Sequence, residues 1–268
     1  MEIHYSHWKE EHRSILETFS EKAVFLFYSG GKDSSLALDF VSKAGKDFGF
    51  DIQVHGSAFP VHRYTAQEKG RLDSYWNGRG VRITWHDVGA GDDAIKDDIN
   101  PCLPCQKLRK GLLKTILAGV EDWENLVLII SFSLWDLVGY TIEHILGDIY
   151  IASPKKAGNQ RSKRFIETSQ RFYPVLRMKE GYIVFRPLIK YNGSDILKST
   201  VEAGIPLLSM PCQFRDYRPK RRFEKYYEGM GLRFDYEQVF AFAKKTLQIP
   251  DPSFYSSIEK ETYLRDIF

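Results

Sequence analysis

Two short stretches of this chain carry residue types that do chemistry. The first is Ser29-Gly30-Gly31-Lys32-Asp33-Ser34-Ser35. Paired glycines let backbone approach a ligand closely, and a helix that follows them aims free N–H groups and its positive dipole end at whatever lies in the turn. An anion is favoured there, with phosphate the usual one. The second stretch is Cys102-Leu103-Pro104-Cys105, with Cys212 far along the chain in Met210-Pro211-Cys212. The pair lies just before a helix expected from Gln106. A helix N-terminus lowers a thiol pKa, and Lys107, Arg109 and Lys110 add positive charge, so reactive thiolate is one reading and a pair of buried structural cysteines is the other. A closed zinc site needs four ligands; with three cysteines it would recruit a histidine or an acid. Three thiolates with one open position also suit an iron–sulfur cluster.

The elements that must position these groups follow from hydrophobic periodicity. Ala23 to Tyr28 has the length and composition of a buried strand, while Leu36, Phe40, Val41 and Ala44 share one helical face. The glycines therefore sit at a strand-to-helix turn. Residues 4–20 read as a leading helix, Asp51 to Phe59 as a second strand, Thr65 to Trp76 as a helix and Val81 to Val88 as a third strand. Helical spacing returns over 105–118, followed by a strand from Leu126 to Phe132 and a helix from Leu134 to Leu146. Alternation of this kind implies α/β architecture: a mostly parallel sheet with helices on both faces and the ligand beyond the carboxyl ends of the strands. Beyond about residue 150 a basic loop precedes a strand from Tyr182 to Pro187 and a helix from Ser194 to Ala203. A helical stretch from Arg221 to Leu247 follows. The expected division is a leading helix (1–20), a nucleotide-binding α/β domain (21–205) and a helical C-terminal extension (206–268).

Of the 268 residues 43% are hydrophobic, enough for a core that needs no disulfides. Three cysteines and a charged, polar N-terminus indicate a reducing, cytoplasmic setting, and no run of about 18 apolar residues suggests a membrane span. The net charge of +3 is small but unevenly spread. Lys155, Lys156, Arg161, Lys163, Arg164, Arg171, Arg177 and Lys179 face the single acid Glu167. Arg215, Arg218, Lys220, Arg221, Arg222 and Lys225 alternate with Phe214, Tyr217, Phe223, Tyr226 and Tyr227. Such a pattern either grips phosphates and stacks bases or forms a solvated helix face with aromatics turned inward.

A Walker A loop is excluded, because Leu26 and Asp33 hold two of its required places. The string Ser-Gly-Gly-x-Asp-Ser instead resembles the PP-loop of the N-type ATP pyrophosphatases, which split ATP into AMP and pyrophosphate while adenylating a substrate oxygen. Cys102-Leu-Pro-Cys105-Gln-Lys-Leu108-Arg109-Lys110-Gly111 is similar to the Cys-x-x-Cys-x-x-Leu-Arg-Arg-Gly stretch of the TtcA/TtuA group of tRNA thiolases. Phe185-Arg186-Pro187-Leu188-Ile189 resembles that group's Arg-Pro-Leu segment, and Ile205 through Cys212 the segment with its third cysteine. These islands fall in the same order over roughly 22–215. At the place of the group's Gly-His-x-x-Asp-Asp the chain reads Ser131-Phe132-Ser133-Leu134-Trp135-Asp136, so only one acid is kept.

The resemblance implies an ATP-dependent sulfurtransferase that adenylates a nucleobase carbonyl and replaces oxygen by sulfur. It implies that Ser29, Gly30, Gly31, Lys32, Asp33, Ser34 and Ser35 hold the phosphates, that Asp33 and Asp136 help place Mg²⁺, and that Ala58 and Phe59 contact adenine. Sulfur would come from a persulfide on Cys105 with Cys102 resolving, fed by a cysteine desulfurase, or from sulfide on a [4Fe-4S] cluster held by Cys102, Cys105 and Cys212. Arg109 would neutralise adenylate charge or form a surface ion pair. Substrates implied are tRNA or, since no accessory RNA-binding segment is evident, a free nucleotide; related thiolases are often homodimers. An adenylating amidoligase or an ATP-sensing module on the same scaffold makes no use of the cysteines.

Overall fold

The computed structural model describes residues 2–150 and 163–268. Its centre is a six-stranded sheet in the order β3-β2-β1-β4-β6-β5. The strands are β1 (Ala23–Tyr28), β2 (Ile52–Ser57), β3 (Ile83–His86), β4 (Leu126–Ile129), β5 (Val175–Arg177) and β6 (Ile183–Phe185). All neighbours run parallel except β5, which pairs antiparallel with β6. This is the mostly parallel α/β architecture expected from the sequence. The edge strand β5 is the element periodicity did not reveal, because three residues are too few to show a period.

Each central strand is buried on both sides. Val24, Leu26, Tyr28, Val127, Ile129, Ile183 and Phe185 enter one core, and Phe25, Leu126, Leu128 and Val184 the other. The first core is closed by α1 (Tyr5–Leu16), α2 (Lys32–Phe48), α3 (Ala66–Asn77) and α8 (Gly193–Glu202), which contribute Trp8, Leu16, Phe40, Val41, Leu72, Trp76 and Ile196. The second is closed by α5 (Cys102–Ala118) and by the C-terminal residues Tyr255 and Tyr263. The remaining α-helices are α4 (Asp93–Lys96), α6 (Leu134–Tyr150), α7 (the helical segment over 163–169), α9 (Pro219–Gly229), α10 (Tyr236–Leu247), α11 (Pro252–Ser256) and α12 (Lys260–Thr262).

Two boundaries differ from expectation in ways that matter. Helix α5 starts at Cys102, four residues earlier than the apolar spacing suggests, so both paired cysteines lie inside its first turns. The stretch expected to be helical from Arg221 to Leu247 is two helices, broken where Gly231 takes a left-handed φ of 70°.

The chain leaves β1 for β2 on one side and later places β4 on the other. Such a reversal opens a crevice at the carboxyl end of the strand where it occurs. That strand is β1, and the Ser29–Ser35 turn begins immediately after it.

Candidate active site

The turn is built by its own side chains. The Ser29 amide donates to Ser34 Oγ (3.1 Å), Ser34 Oγ donates to the Gly31 carbonyl (3.1 Å), and the Ser29 and Ser34 hydroxyls lie 3.0 Å apart. Gly30 has a left-handed φ of 65°, and a Cβ there would sit 3.2 Å from Leu208 Cβ. Glycine is thus required on both conformational and spatial grounds. The first-turn amides of α2 have no intrahelical acceptor, so the crevice receives donors together with the dipole.

A clasp holds the turn from outside. The Leu208 amide donates to the Gly30 carbonyl (2.8 Å), and Tyr64 Oη donates to the Ser29 carbonyl (3.0 Å). Glu68 accepts from the Ser209 amide (2.9 Å) and hydroxyl (2.6 Å) and from Arg71 (2.9 Å), while Arg71 also donates to the Leu207 carbonyl (2.6 Å). Burial alone would raise the Glu68 pKa, but the bonds from Ser209 and Arg71 outweigh it and hold the carboxyl at about 2.

Lys32 projects into the crevice, where its Nζ is 2.9 Å from Asp33 Oδ1 and 3.8 Å from Glu224 Oε1 of α9. Burial works against its charge. Asp33, Glu224 and Asp136 outweigh that and hold its pKa above the usual lysine value. Asp136 therefore faces the same space as Asp33 although 103 positions separate them. One Asp136 oxygen also accepts from the Ser133 amide (2.8 Å) and hydroxyl (3.2 Å), which caps the start of α6. Burial raises the Glu224 pKa, Lys32 opposes this, and Glu228, Asp33 and Asp136 add to it. Sequence reasoning missed Glu224 and Glu228, and no local motif marks them.

Ser57 at the end of β2 and Ser131 just beyond β4 each bury a hydroxyl oxygen that has no partner among the described residues. They flank the turn on the strands either side of β1. Buried orphan hydroxyls are uncommon and mark places where a ligand or water supplies the missing bond. Ala58 and Phe59 follow Ser57. The Ala58 amide already donates to the His86 carbonyl (2.9 Å) and the Phe59 ring is fully buried, so a nucleotide contact there falls to remaining backbone groups.

The same edge of the sheet gathers the cysteines. Phe59, Ile95, Cys102, Cys105 and Phe214 form one buried cluster with Val88, Leu108 and Cys212 packed on it. Two segments far apart in sequence thus place the three cysteines in one cluster, and all are free of disulfides. Cys102 Sγ donates to the Phe214 carbonyl (3.5 Å). The Cys212 segment is fixed by a relay: Asp92 accepts from the Val61 and His62 amides (2.8 and 2.9 Å) and from His62 Nδ1 (2.7 Å), and His62 Nε2 accepts from the Gln213 amide (3.1 Å). Arg63 Nε donates to the Met210 carbonyl (3.0 Å).

Of the two readings of Cys105, its surroundings favour the neutral thiol over the thiolate. Only 3% of the residue is exposed, and burial pushes its thiol pKa up despite the nearby Arg109 and Arg218 charges; Cys212 and Cys102 push it further. The helix dipole expected to lower it is overcome by desolvation. Arg109 and Arg218 each bury an Nε without a partner among the described residues. The Arg109 charge acts on the Cys105 thiol, and among the described residues Arg109 has no ion pair.

The thiols do not form a preformed zinc site. Zn–S bonds of ~2.3 Å put tetrahedral ligands ~3.8 Å apart. Among the described residues, the ligand trio found within 4.8 Å is Glu180, Glu259 and Glu261, away from this edge. Three thiols beside an apolar wall, with the charges of Arg109 and Arg218 acting on Cys105, are soft donors in kind, but they form no clear cluster site. Asp33 and Asp136 supply hard oxygen donors suited to Mg²⁺.

The basic stretches divide. Arg164 pairs with Glu143 (2.7 Å) and Glu167 (3.1 Å), buried Arg171 with Glu167 (2.7 Å), Lys163 with Asp266 (3.1 Å), and Lys179 with Glu259. Lys155, Lys156 and Arg161 lie outside the described residues. In the second stretch Phe214 packs inward on the cysteines and Tyr227 against Trp135, whereas Tyr217, Phe223 and Tyr226 are exposed.

A sheet that reverses at β1, with a Ser-Gly-Gly turn at the reversal, gives this chain the fold of the PP-loop ATP pyrophosphatases. The U34-tRNA thiolase NcsA from Methanococcus maripaludis, solved with its [4Fe-4S] cluster, shares it: TM-score 0.61 and 13% identity, covering 92% of this chain and 81% of that one. An NMN synthetase from Francisella tularensis (TM-score 0.45, 12% identity, 100% and 98% covered) and an NAD⁺ synthetase from Burkholderia pseudomallei (0.44, 15%, 91% and 92%) also align. No protein-family model and no curated protein matches the sequence. Among the described residues no helix is long and apolar enough to cross a membrane.

Proposed function

We propose that the chain is an ATP-dependent, AMP- and pyrophosphate-forming sulfurtransferase acting on a nucleobase carbonyl, with tRNA as the substrate class. The observation that carries this reading is the convergence of Cys102, Cys105 and Cys212 on one patch beside the nucleotide crevice. An ATP-using ligase has no need of three converging thiols.

In this reading the first-turn amides of α2 and Lys32 bind the polyphosphate, with Asp33 and Asp136 holding Mg²⁺ against it. The substrate carbonyl oxygen attacks the α-phosphorus, and the bond to the β-phosphate oxygen breaks as pyrophosphate leaves. The adenylated carbon is then attacked by sulfur, and AMP departs with the former carbonyl oxygen. In the persulfide route the terminal sulfur on Cys105 is the nucleophile. Cys102 then attacks the Cys105 sulfur, releasing thiolated base and leaving a Cys102–Cys105 disulfide for an external dithiol to reduce. Arg109 and Arg218 balance negative charge on the sulfur. Were a cluster present, the same three thiols would hold it, and it would supply an open iron position for sulfide.

The test is a paired assay on Cys105→Ser: pyrophosphate release and thionucleoside formation with unmodified tRNA, ATP and either a persulfide donor with excess dithiol or sulfide alone. The reading expects sulfur transfer to vanish while adenylation persists. Full sulfur incorporation by this variant would end it, and a switch of nucleophile to ammonia in the wild type would identify an amidoligase.

A further inference from the structure

The helix that reaches Lys32 is itself unusually placed. Helix α9 comes from the C-terminal extension, yet its Glu224 carboxylate lies 3.8 Å from the Lys32 ammonium. The approach depends on Gly193 at the start of α8. A Cβ at Gly193 would lie 2.7 Å from Glu224 Oε1, 3.1 Å from Lys32 Nζ and 3.4 Å from Glu228 Oε1. Glu224 and Glu228 are one turn apart, so the two carboxylates share the inward face of α9.

That helix is fastened mainly by charge. Among the described residues its inward contacts include, besides the two glutamates, Tyr227 on Trp135 and Phe234 (5.8 and 6.1 Å between ring centroids), while Phe223 and Tyr226 on the other side are 42% and 63% exposed. An isolated helix of this length is marginal in water, so its position is set by those few contacts. The chain is anchored on both sides of it. Before α9, the Gln213 amide is tied to His62. After it, Asn192 exchanges two hydrogen bonds with the Phe234 backbone (2.9 and 3.0 Å), and Arg233 pairs with Asp195. Gly229 ends the helix and Gly231 lies between it and the second anchor, where backbone rotation is least restricted.

We infer that α9 is a lid over the phosphate loop, and that Glu224 occupies the polyphosphate's place beside Lys32 until nucleotide displaces it. This rests on the reading of Ser29–Ser35 as a nucleotide site. One ammonium cannot serve Glu224 and a polyphosphate at the same position, so arrival of nucleotide swings α9 outward on its two anchors.

The test uses the full chain, the α,β-methylene analogue of ATP with Mg²⁺, calorimetry and hydrogen–deuterium exchange over 219–229. In the wild type, exchange of α9 rises when the analogue binds. Glu224→Gln removes the competing charge: analogue affinity rises about two- to fivefold, and α9 exchanges rapidly before nucleotide is added. Gly193→Ala crowds the contact and gives the same rapid exchange in the nucleotide-free chain. Lys32-dependent binding with unchanged or slower α9 exchange, or weaker binding by Glu224→Gln, overturns the lid alone. A wild type that binds no analogue overturns the lid and the nucleotide reading together.

Discussion

The phosphate turn and the cysteine patch lie on the same edge of one sheet and are built in opposite ways. The turn is contiguous: seven consecutive residues supply the hydroxyls, the left-handed glycine and the helix N-terminus that shape it. The patch is composite, with Cys102 and Cys105 on α5, Cys212 on a loop and Phe59 after β2. A contiguous site gets its geometry from local backbone; a composite one gets it only after the fold has closed, from polar ties such as Asp92–His62–Gln213. Residues 212–234 touch both, through Cys212 and Arg218 at one and Glu224 at the other. Damage to the turn should therefore stop all chemistry, whereas damage to the patch should separate the two half-reactions.

The largest effect is expected at Lys32. Lys32→Ala should cut pyrophosphate release about 10²–10³-fold, the usual cost of one preorganised charge-stabilising donor. Its melting temperature should change little, because the loop's shape comes from Ser29 and Ser34. An equal loss of folding would mean that the lysine is a structural counter-ion to Asp33 and Glu224. Next is Cys212→Ala, which should reduce thionucleoside formation to background with pyrophosphate release retained. Anaerobic purification with iron and sulfide analysis of this variant and the wild type separates the sulfur routes: iron lost with Cys212 indicates a cluster, and an iron-free wild type indicates persulfide. A Cys212→Ala protein that still thiolates would rule out the cluster route and leave sulfur delivery to Cys105 and Cys102.

This contrast also explains what the sequence made legible. The buried run Ala23–Tyr28 meeting Ser29-Gly30-Gly31 is a change of period at a glycine pair, so the strand, the helix and the turn between them are readable without partners. The Ser57 and Ser131 hydroxyls are not, since being orphaned is a property of the closed fold. Glu68 misleads. Thr65-Ala66-Gln67-Glu68 has capping-box spacing, and Thr65 does accept from the Glu68 amide (3.2 Å), but the Glu68 carboxylate is diverted to Ser209. Glu224 is invisible because it sits in a run of basic and aromatic residues and its partner lies 192 positions earlier. Which of the two readings of Cys105 holds is not legible locally, because the helix dipole is read from adjacent residues and burial is not.

A smaller effect is expected at the tie that fixes the Cys212 loop. His62→Ala removes the acceptor of the exposed Gln213 amide and one of the two bonds to Asp92 Oδ2, which keeps the backbone amide of residue 62, a cost of about 0.5–1.5 kcal/mol. Thionucleoside formation should fall more than pyrophosphate release, because the loop carries Cys212 and not the phosphate ligands. Equal losses in both assays would show that the two regions are mechanically one, contrary to the contrast drawn from their construction.

The smallest effect, and the sharpest in sign, concerns the clasp over Gly30. Glu68 has a folded pKa of about 2, below the ~4.3 of an unperturbed glutamate. Its stabilising contribution is therefore fully present above the unfolded value and drains away as pH falls from there toward about 2. Glu68→Gln keeps the size of the side chain but loses the charge that accepts from Ser209 and Arg71. At pH 7 the variant should melt below the wild type. The gap should narrow steadily through the acid range, because protonation turns the wild-type side chain into a neutral analogue of its own substitution. A gap that stays constant down to pH 3 would mean that shape, and not charge, closes the clasp, and that Leu208 is held on the turn by packing alone.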